Sequence, residues 1–256
     1  MFPSSSQTPS ADPADPIPKP RAAPSGLAET AALMRFEPVD EDPALRTRRL
    51  AERFGVDILQ EVELLQLHLA RSGCGDAGEQ AAQMIEHFGG LVAVLGADRA
   101  ALERYIDPGA ALDLKLVRET AVRLAASVLP RRDLLTSSVQ VGVYLKALLR
   151  GLPREEFWVL FLDRQNHLLR AERLGIGTVD HAPVYPREVL RRALELNASA
   201  LILAHNHPSG DPTPSRPDLD MTKQIIVAAK ALGIAVHDHV IVGGDTVTSF
   251  RSAGLI

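Results

Sequence analysis

The chain reads as an α/β protein of the α+β kind, a helical N-terminal domain followed by a mixed-sheet domain. Three observations predict this. Apolar residues recur at helical spacing from about residue 42 to 129. After residue 137, short runs that read as buried strands alternate with amphipathic helical stretches. Nine of the 18 prolines fall within residues 1–43, which sets a tail apart from both parts.

Residues 1–41 mix Pro, Ser, Ala and Asp with few large apolar groups. Such a stretch cannot bury enough surface to offset the entropy of ordering it, so a disordered tail is expected. In residues 42–129, Leu45, Leu50 and Phe54 fall at helical spacings, and so do Leu64, Leu65, Leu67 and Leu69. Breaks are expected at Gly55, at Ser72-Gly73-Cys74-Gly75 and at Gly89-Gly90, and a last helix from Leu112 to Val128 ahead of Pro130. The count is about five short helices. Leu129 to Asp133 reads as a linker.

The sheet domain is expected over residues 137–256. Ser137 or Ser138 caps a helix through about Leu149. Phe157 to Leu162 reads as a strand buried on both faces, Arg164-Gln165-Asn166 as a turn, and His167 to Leu174 as the returning strand. Pro186 opens an amphipathic helix to Leu196. Ala200 to Ala204 is another buried strand. After a polar loop, a helix runs from about Pro217 to Leu232. Ala235 to Val242 and Thr246 to Phe250 close the chain as strands. No internal repeat and no Gly-rich phosphate loop is present.

Composition removes several function classes. With 28 basic against 32 acidic residues the formal net charge is -4, which argues against a protein built to coat DNA or an acidic membrane. Cys74 is the one cysteine. It excludes a disulfide framework and any Cys-based zinc finger, and it fits a reducing cytoplasm. No apolar run approaches the ~18 residues of a membrane span. The first residues lack a basic start and an apolar stretch and so do not read as a secretory signal.

Chemistry concentrates in residues 205–218. His205 and His207 are two apart, so on an extended backbone their imidazoles aim at one point just past a strand end. Ser215 suits a helix N-cap and Pro217 the first turn. Asp218 then lies in that first turn, where the helix dipole favours a carboxylate. Two His and one Asp suit Zn²⁺ with a fourth position open for water, the pattern of catalytic zinc. Each feature alone has a plainer reading, as surface histidines, a stiff turn or a simple cap; together they specify a metal site. A rival pair, His237 and His239, has the same spacing inside an expected strand and reads either as sheet-edge polar structure or as support for the first site. Arg187, Arg191 and Arg192 read as a solvated helix face, with anion binding as the alternative.

His205-x-His207, seven residues, Ser215, two residues and Asp218 resemble the JAMM motif of the JAB/MPN metalloprotease superfamily. His205-Asn206-His207-Pro208-Ser209-Gly210 with Pro214-Ser215 and Asp218 resembles the RadC family more narrowly. The resemblance covers residues from about 42 to 256. It implies an MPN fold, a cytidine-deaminase-like sandwich, holding one Zn²⁺ per chain. It also implies a glutamate at the start of an early buried strand that takes a proton from water. Glu155 matches that place, with Glu156 as its neighbour and fallback. Ser215 would, by resemblance, help hold the oxyanion; a pure capping role is the alternative.

Three functions follow as expectations. The first is a zinc metallopeptidase acting on a peptide or isopeptide-like amide of a protein or peptide substrate. Zinc deaminases also use zinc and a Glu, but their signature needs a Pro-Cys-x-x-Cys that is missing. The second is a DNA-binding module, since the family's helical region resembles a helix-hairpin-helix that grips phosphates with backbone N–H groups. Its counterpart, Ile106-Asp107-Pro108-Gly109-Ala110-Ala111-Leu112, keeps one glycine and gains an aspartate and a proline. The third is an MPN scaffold without turnover.

Overall fold

The computed structural model describes residues 42–127, 129, 138–177 and 184–256. The described residues from Asp42 to Ile256 group as one compact unit. The expected tail, most of the expected linker and a cap at Ser137 lie outside the described residues.

Six α-helices make up the N-terminal helical half among the described residues: α1 Pro43–Phe54, α2 Glu61–Arg71, α3 Ala77–Phe88, α4 Leu91–Gly96, α5 Arg99–Leu102 and α6 Pro108–Ser127. The leucine spacing suggested about five, because the four-residue α5 is too short to show a period. α6 also begins a turn earlier than the expected Leu112. The Asp107 carboxylate accepts from the N–H groups of Gly109 at 2.8 Å and Ala110 at 3.1 Å. Pro108 at the start of the helix has no N–H to leave unpaired. Leu65, Leu69, Met84, Val94, Leu102 and Leu114 form the core of this half.

α7 (Ser138–Leu149) leads into β1 (Glu156–Leu162) and β2 (Leu168–Ile176). Then come α8 (Pro186–Glu195), β3 (Ala200–His207), α9 (Arg216–Ala231), β4 (Ala235–Gly243) and β5 (Thr246–Ser249). The sheet order is β2-β1-β3-β4-β5. Only β3 and β4 run parallel, joined across α9; the other neighbours are antiparallel. Phe157, Val159, Phe161, Leu201 and Leu203 pack on one side against Val189 and Ala193 of α8 and Ile225 and Ala229 of α9. Leu160, Leu162, Ile202, Ala204 and Val240 pack on the other against Val141, Leu145 and Leu149 of α7. A sheet covered on both faces explains the near-continuous apolar runs of β1 and β3. β2 is an edge strand and carries Arg170, Glu172 and Arg173, charges that discourage pairing with another chain.

The helical half is tied to the sheet half along one seam. Arg118 of α6 donates to the carbonyls of Leu148 at 2.9 Å and Arg150 at 3.2 Å, satisfying the C-terminal end of α7. Beside it, Gly96 lies so close to the chain after α7 that a Cβ there would come 2.0 Å from the Gly151 carbonyl oxygen.

Candidate metal centre

β3 runs three residues beyond the expected strand, so His205 and His207 are strand residues rather than loop residues. His205 still pairs with Phe157 of β1 on one side and Ile241 of β4 on the other. The ladder therefore holds the first histidine rigidly. The chain then turns back over β4. Gly243 permits this, since a Cβ at that position would stand 2.5 Å from the Pro212 nitrogen.

α9 delivers the third group. The Ser215 hydroxyl oxygen accepts from Asp218 N–H at 3.3 Å. In return the Ser215 N–H and O–H donate to Asp218 Oδ2 at 2.8 and 2.6 Å. This capping box fixes the carboxylate in the first turn. Asp218 Oδ1 then stands 3.3 Å from His205 Nε2, and Oδ2 stands 3.5 Å from His207 Nε2. The two Nε2 atoms are 3.0 Å apart. His205 is fully buried and Asp218 nearly so.

The donor set fits a divalent cation. His207 Nδ1 is 2.7 Å from the Asp211 carbonyl, which can only accept, so that nitrogen carries the hydrogen. In the neutral ring the His207 Nε2 lone pair is bare and points into the cluster. Two imidazoles with one carboxylate suit zinc among the common ions. His205, His207 and Asp218 form the group among the described residues whose ligand atoms all lie within 4.8 Å of one another. The charges agree. Hydrogen bonding to Asp218 raises the His207 pKa above the usual histidine value. Burial pushes the Asp218 carboxyl up, but the imidazoles of His205 and His207 and the Ser215 hydroxyl outweigh it and hold it well below the usual carboxylate range.

Glu155 sits one residue before β1 and is buried at 8% exposure. Its charge is near enough to contribute to the raised His207 pKa. Glu156 points elsewhere: its carboxylate takes the Trp158 indole N–H and Arg173, each at 2.9 Å. Asn206 lies between the two histidines in sequence and faces away from them. Its Oδ1 accepts from Glu156 N–H at 2.9 Å and its Nδ2 donates to the Arg154 carbonyl at 3.0 Å. One amide thus clamps the chain on both sides of Glu155. Asn206 was quoted in the motif but given no role by sequence reasoning.

The rival histidines separate. A β-bulge between Leu201 and Ile202 leaves β4 with one extra residue, because Val236 faces Leu201 but Asp238 faces Ile202. The extra residue is His237, whose Nε2 reaches Asn166 Oδ1 at 2.8 Å. His239 turns inward to His205 Nδ1 at 2.8 Å and is fully buried. A bulge breaks the i, i+2 alignment, so His237 and His239 do not converge. Burial holds His239 well below the usual histidine pKa. On α8, Arg191 and Arg192 are engaged by Glu172, Glu188 and Glu195, the ion-paired solvated face expected.

A cleft of about 420 Å³ lies beside His207. Pro208 and Gly210 of the site loop line it together with Glu61, Gly90 and Val92 of the helical half.

Comparison with known proteins gives two findings. A family model described as RadC-like JAB domain matches residues 135–255. A UPF0758 protein of Rhodobacter capsulatus is 46% identical over 213 residues, covering 81% of this chain and 100% of that one.

Proposed function

The chain belongs to the RadC family, and from that premise we propose that it is a zinc-dependent metallohydrolase of JAMM type, cleaving a peptide or isopeptide-like amide. The observation that carries this is the convergence of His205, His207 and Asp218 beside a buried glutamate. A zinc ion held by those three residues would polarise the amide carbonyl and lower the pKa of water toward ~7.

The protein's own groups do the rest. Glu155 takes the proton of the attacking water as its oxygen bonds to the carbonyl carbon, and gives that proton to the nitrogen as the C–N bond breaks. With Glu156 engaged by Trp158 and Arg173, Glu155 is the carboxylate left for this task. Ser215 gives its hydroxyl hydrogen to Asp218, so its part in this reading is to hold that ligand; an oxyanion role requires the hydroxyl to turn toward substrate. We take the cleft beside His207 as the place where a protein or peptide chain would lie.

We assign no DNA grip to the helical half. The hairpin N–H groups of Gly109 and Ala110, which a phosphate would need, already donate to Asp107, and Arg118 is committed to the end of α7. Among the described residues no helix is long and apolar enough to cross a membrane. With Cys74 free, a reducing cytoplasmic setting is the one we propose.

The test combines metal content with turnover. Protein purified without added metal should hold about one zinc per chain, lost in the His205→Ala, His207→Ala double variant. Glu155→Gln should keep zinc while losing ~10²–10⁴-fold in amide hydrolysis. Retained zinc in the double variant overturns the site; hydrolysis surviving Glu155→Gln but lost in Glu156→Gln moves the base by one residue.

A further inference from the structure

Behind His205, on the side away from Asp218, runs a hydrogen-bonded chain that the proposed hydrolysis does not use. Thr222 Oγ1 lies 2.6 Å from the Asp218 main-chain carbonyl oxygen and 2.6 Å from His239 Nδ1. His239 Nε2 lies 2.8 Å from His205 Nδ1. His205 and His239 are fully buried and Thr222 is 1% exposed. Phe157 stacks on His205 at 6.2 Å and meets His239 edge-on at 5.7 Å, and Phe250 covers His239 at 4.5 Å.

Counting hydrogens fixes the direction of every bond. The Asp218 carbonyl has none to give, so the single Thr222 hydroxyl hydrogen goes to it. Thr222 therefore accepts from His239, and His239 Nδ1 carries a hydrogen. A second hydrogen on that ring would place a charge between two phenyl rings, at a large desolvation cost. His239 is then neutral, with Nε2 bare. The hydrogen between the two rings must sit on His205 Nδ1, which leaves the His205 Nε2 lone pair facing His207 and Asp218.

We infer that His239 and Thr222 are positioning residues that hold His205 as its Nδ1–H tautomer and so present its Nε2 to the metal. The relay ends on the main chain of Asp218, itself a ligand residue. It thereby ties the strand that carries two ligands to the helix that carries the third. Neither residue touches substrate. The inference rests on the metal reading above, not on hydrolysis.

Four variants of the full chain test it: Thr222→Val, Thr222→Ser, His239→Leu and His239→Gln. Serine keeps the hydroxyl, and glutamine offers an oxygen to His205 and an N–H to Thr222. Zinc affinity is read by chelator competition. Loss of such supporting partners typically costs 10–100-fold in metal affinity, so Thr222→Val and His239→Leu should weaken zinc by about that factor, with serine and glutamine restoring most of it. Imidazole ¹⁵N spectra of the metal-free protein should show His205 protonated at Nδ1 in the wild type and a mixture of tautomers in Thr222→Val. Should His239→Leu fail to fold, the near-isosteric Thr222 pair decides alone. Zinc affinity within twofold of wild type in folded Thr222→Val, or a wild-type His205 protonated at Nε2, overturns the relay. A wild type that binds no divalent ion overturns the metal reading instead, and the ¹⁵N spectra still judge the tautomer.

Discussion

Replacing Asn206 with alanine removes an amide that bonds the chain on both sides of the proposed base. Two main-chain groups lose their partner, the Glu156 N–H and the Arg154 carbonyl. A deeply buried group left unpaired costs about 1–3 kcal/mol. Arg154 is exposed and Glu156 only half-buried, so water takes up part of the loss. The low end applies to each, about 2 kcal/mol in all. The effect on chemistry should be larger than this suggests. Glu155 keeps one other tether, its own carbonyl accepting from Gly177 N–H at 2.8 Å. That bond still holds the peptide plane after Glu155, but the plane before it, which carries the Arg154 carbonyl, loses its Asn206 partner. Misplacing a catalytic group by about 1 Å can cost ~10²-fold in rate. Asn206→Ala should therefore lower amide turnover by roughly 10²-fold at unchanged zinc content. A double variant with Glu155→Gln should be hardly slower than Glu155→Gln alone, because both act through one carboxylate. Urea unfolding, elemental analysis and turnover on one preparation decide it. Turnover within threefold of wild type refutes the clamp, and so does additive loss in the double variant.

Gly96→Ala forces a methyl to within 2.0 Å of the Gly151 carbonyl oxygen, and overpacking of this kind costs about 1–3 kcal/mol; the urea midpoint should fall, and an unchanged midpoint contradicts the close seam. His237→Ala should leave zinc content as in the wild type, because His237 reaches Asn166 rather than the ligand cluster; loss of zinc there would restore the rival pair. The full chain titrated against duplex DNA at two salt concentrations should bind weakly with a shallow dependence. A steep slope, near −0.9 per phosphate contacted, would revive a nucleic-acid role.

Most of this architecture could be read from residue order because local chemistry and tertiary packing agree. Phe157 to Leu162 and Ala200 to Ala204 are too uniformly apolar for an exposed strand, and both prove covered on two faces. The ligand set was legible for a similar reason. His205 and His207 share one side of a strand, and Ser215 and Asp218 are three apart in a capping box, so both relations are short-range. What escaped depends on distant pairing. The end of β3 is set by its partners on β1 and β4, and His205 to His207 carry no β-former that would signal an extension. The bulge at His237 has no glycine or proline to mark it. Asn206 looked like a spacer, since its partners lie some 50 residues earlier in the chain. Thr222 sat unremarked in a helix interior, where its hydroxyl usually does no more than bond the preceding turn. The early start of α6 was missed because Ala110 and Ala111 are buried yet too small to stand out as a period.

The three residues proposed as ligands all come from one continuous strand–loop–helix stretch, 205–218, whereas Glu155 comes from the start of the neighbouring strand β1 and His239 from the strand after the helix. If the chain is the metallohydrolase proposed above, loading with metal and competence for turnover are separable stages. On the proposed reading, a partly folded molecule with β3 and α9 in place would already own a chelating segment before β1 has paired and brought in the acid–base group. Metal stoichiometry in a preparation then measures how much of that segment has formed, and the fraction of molecules able to turn over is a different quantity. A variant that loosens the segment around Glu155 without disturbing the β3 ladder should yield metal-replete, inert protein.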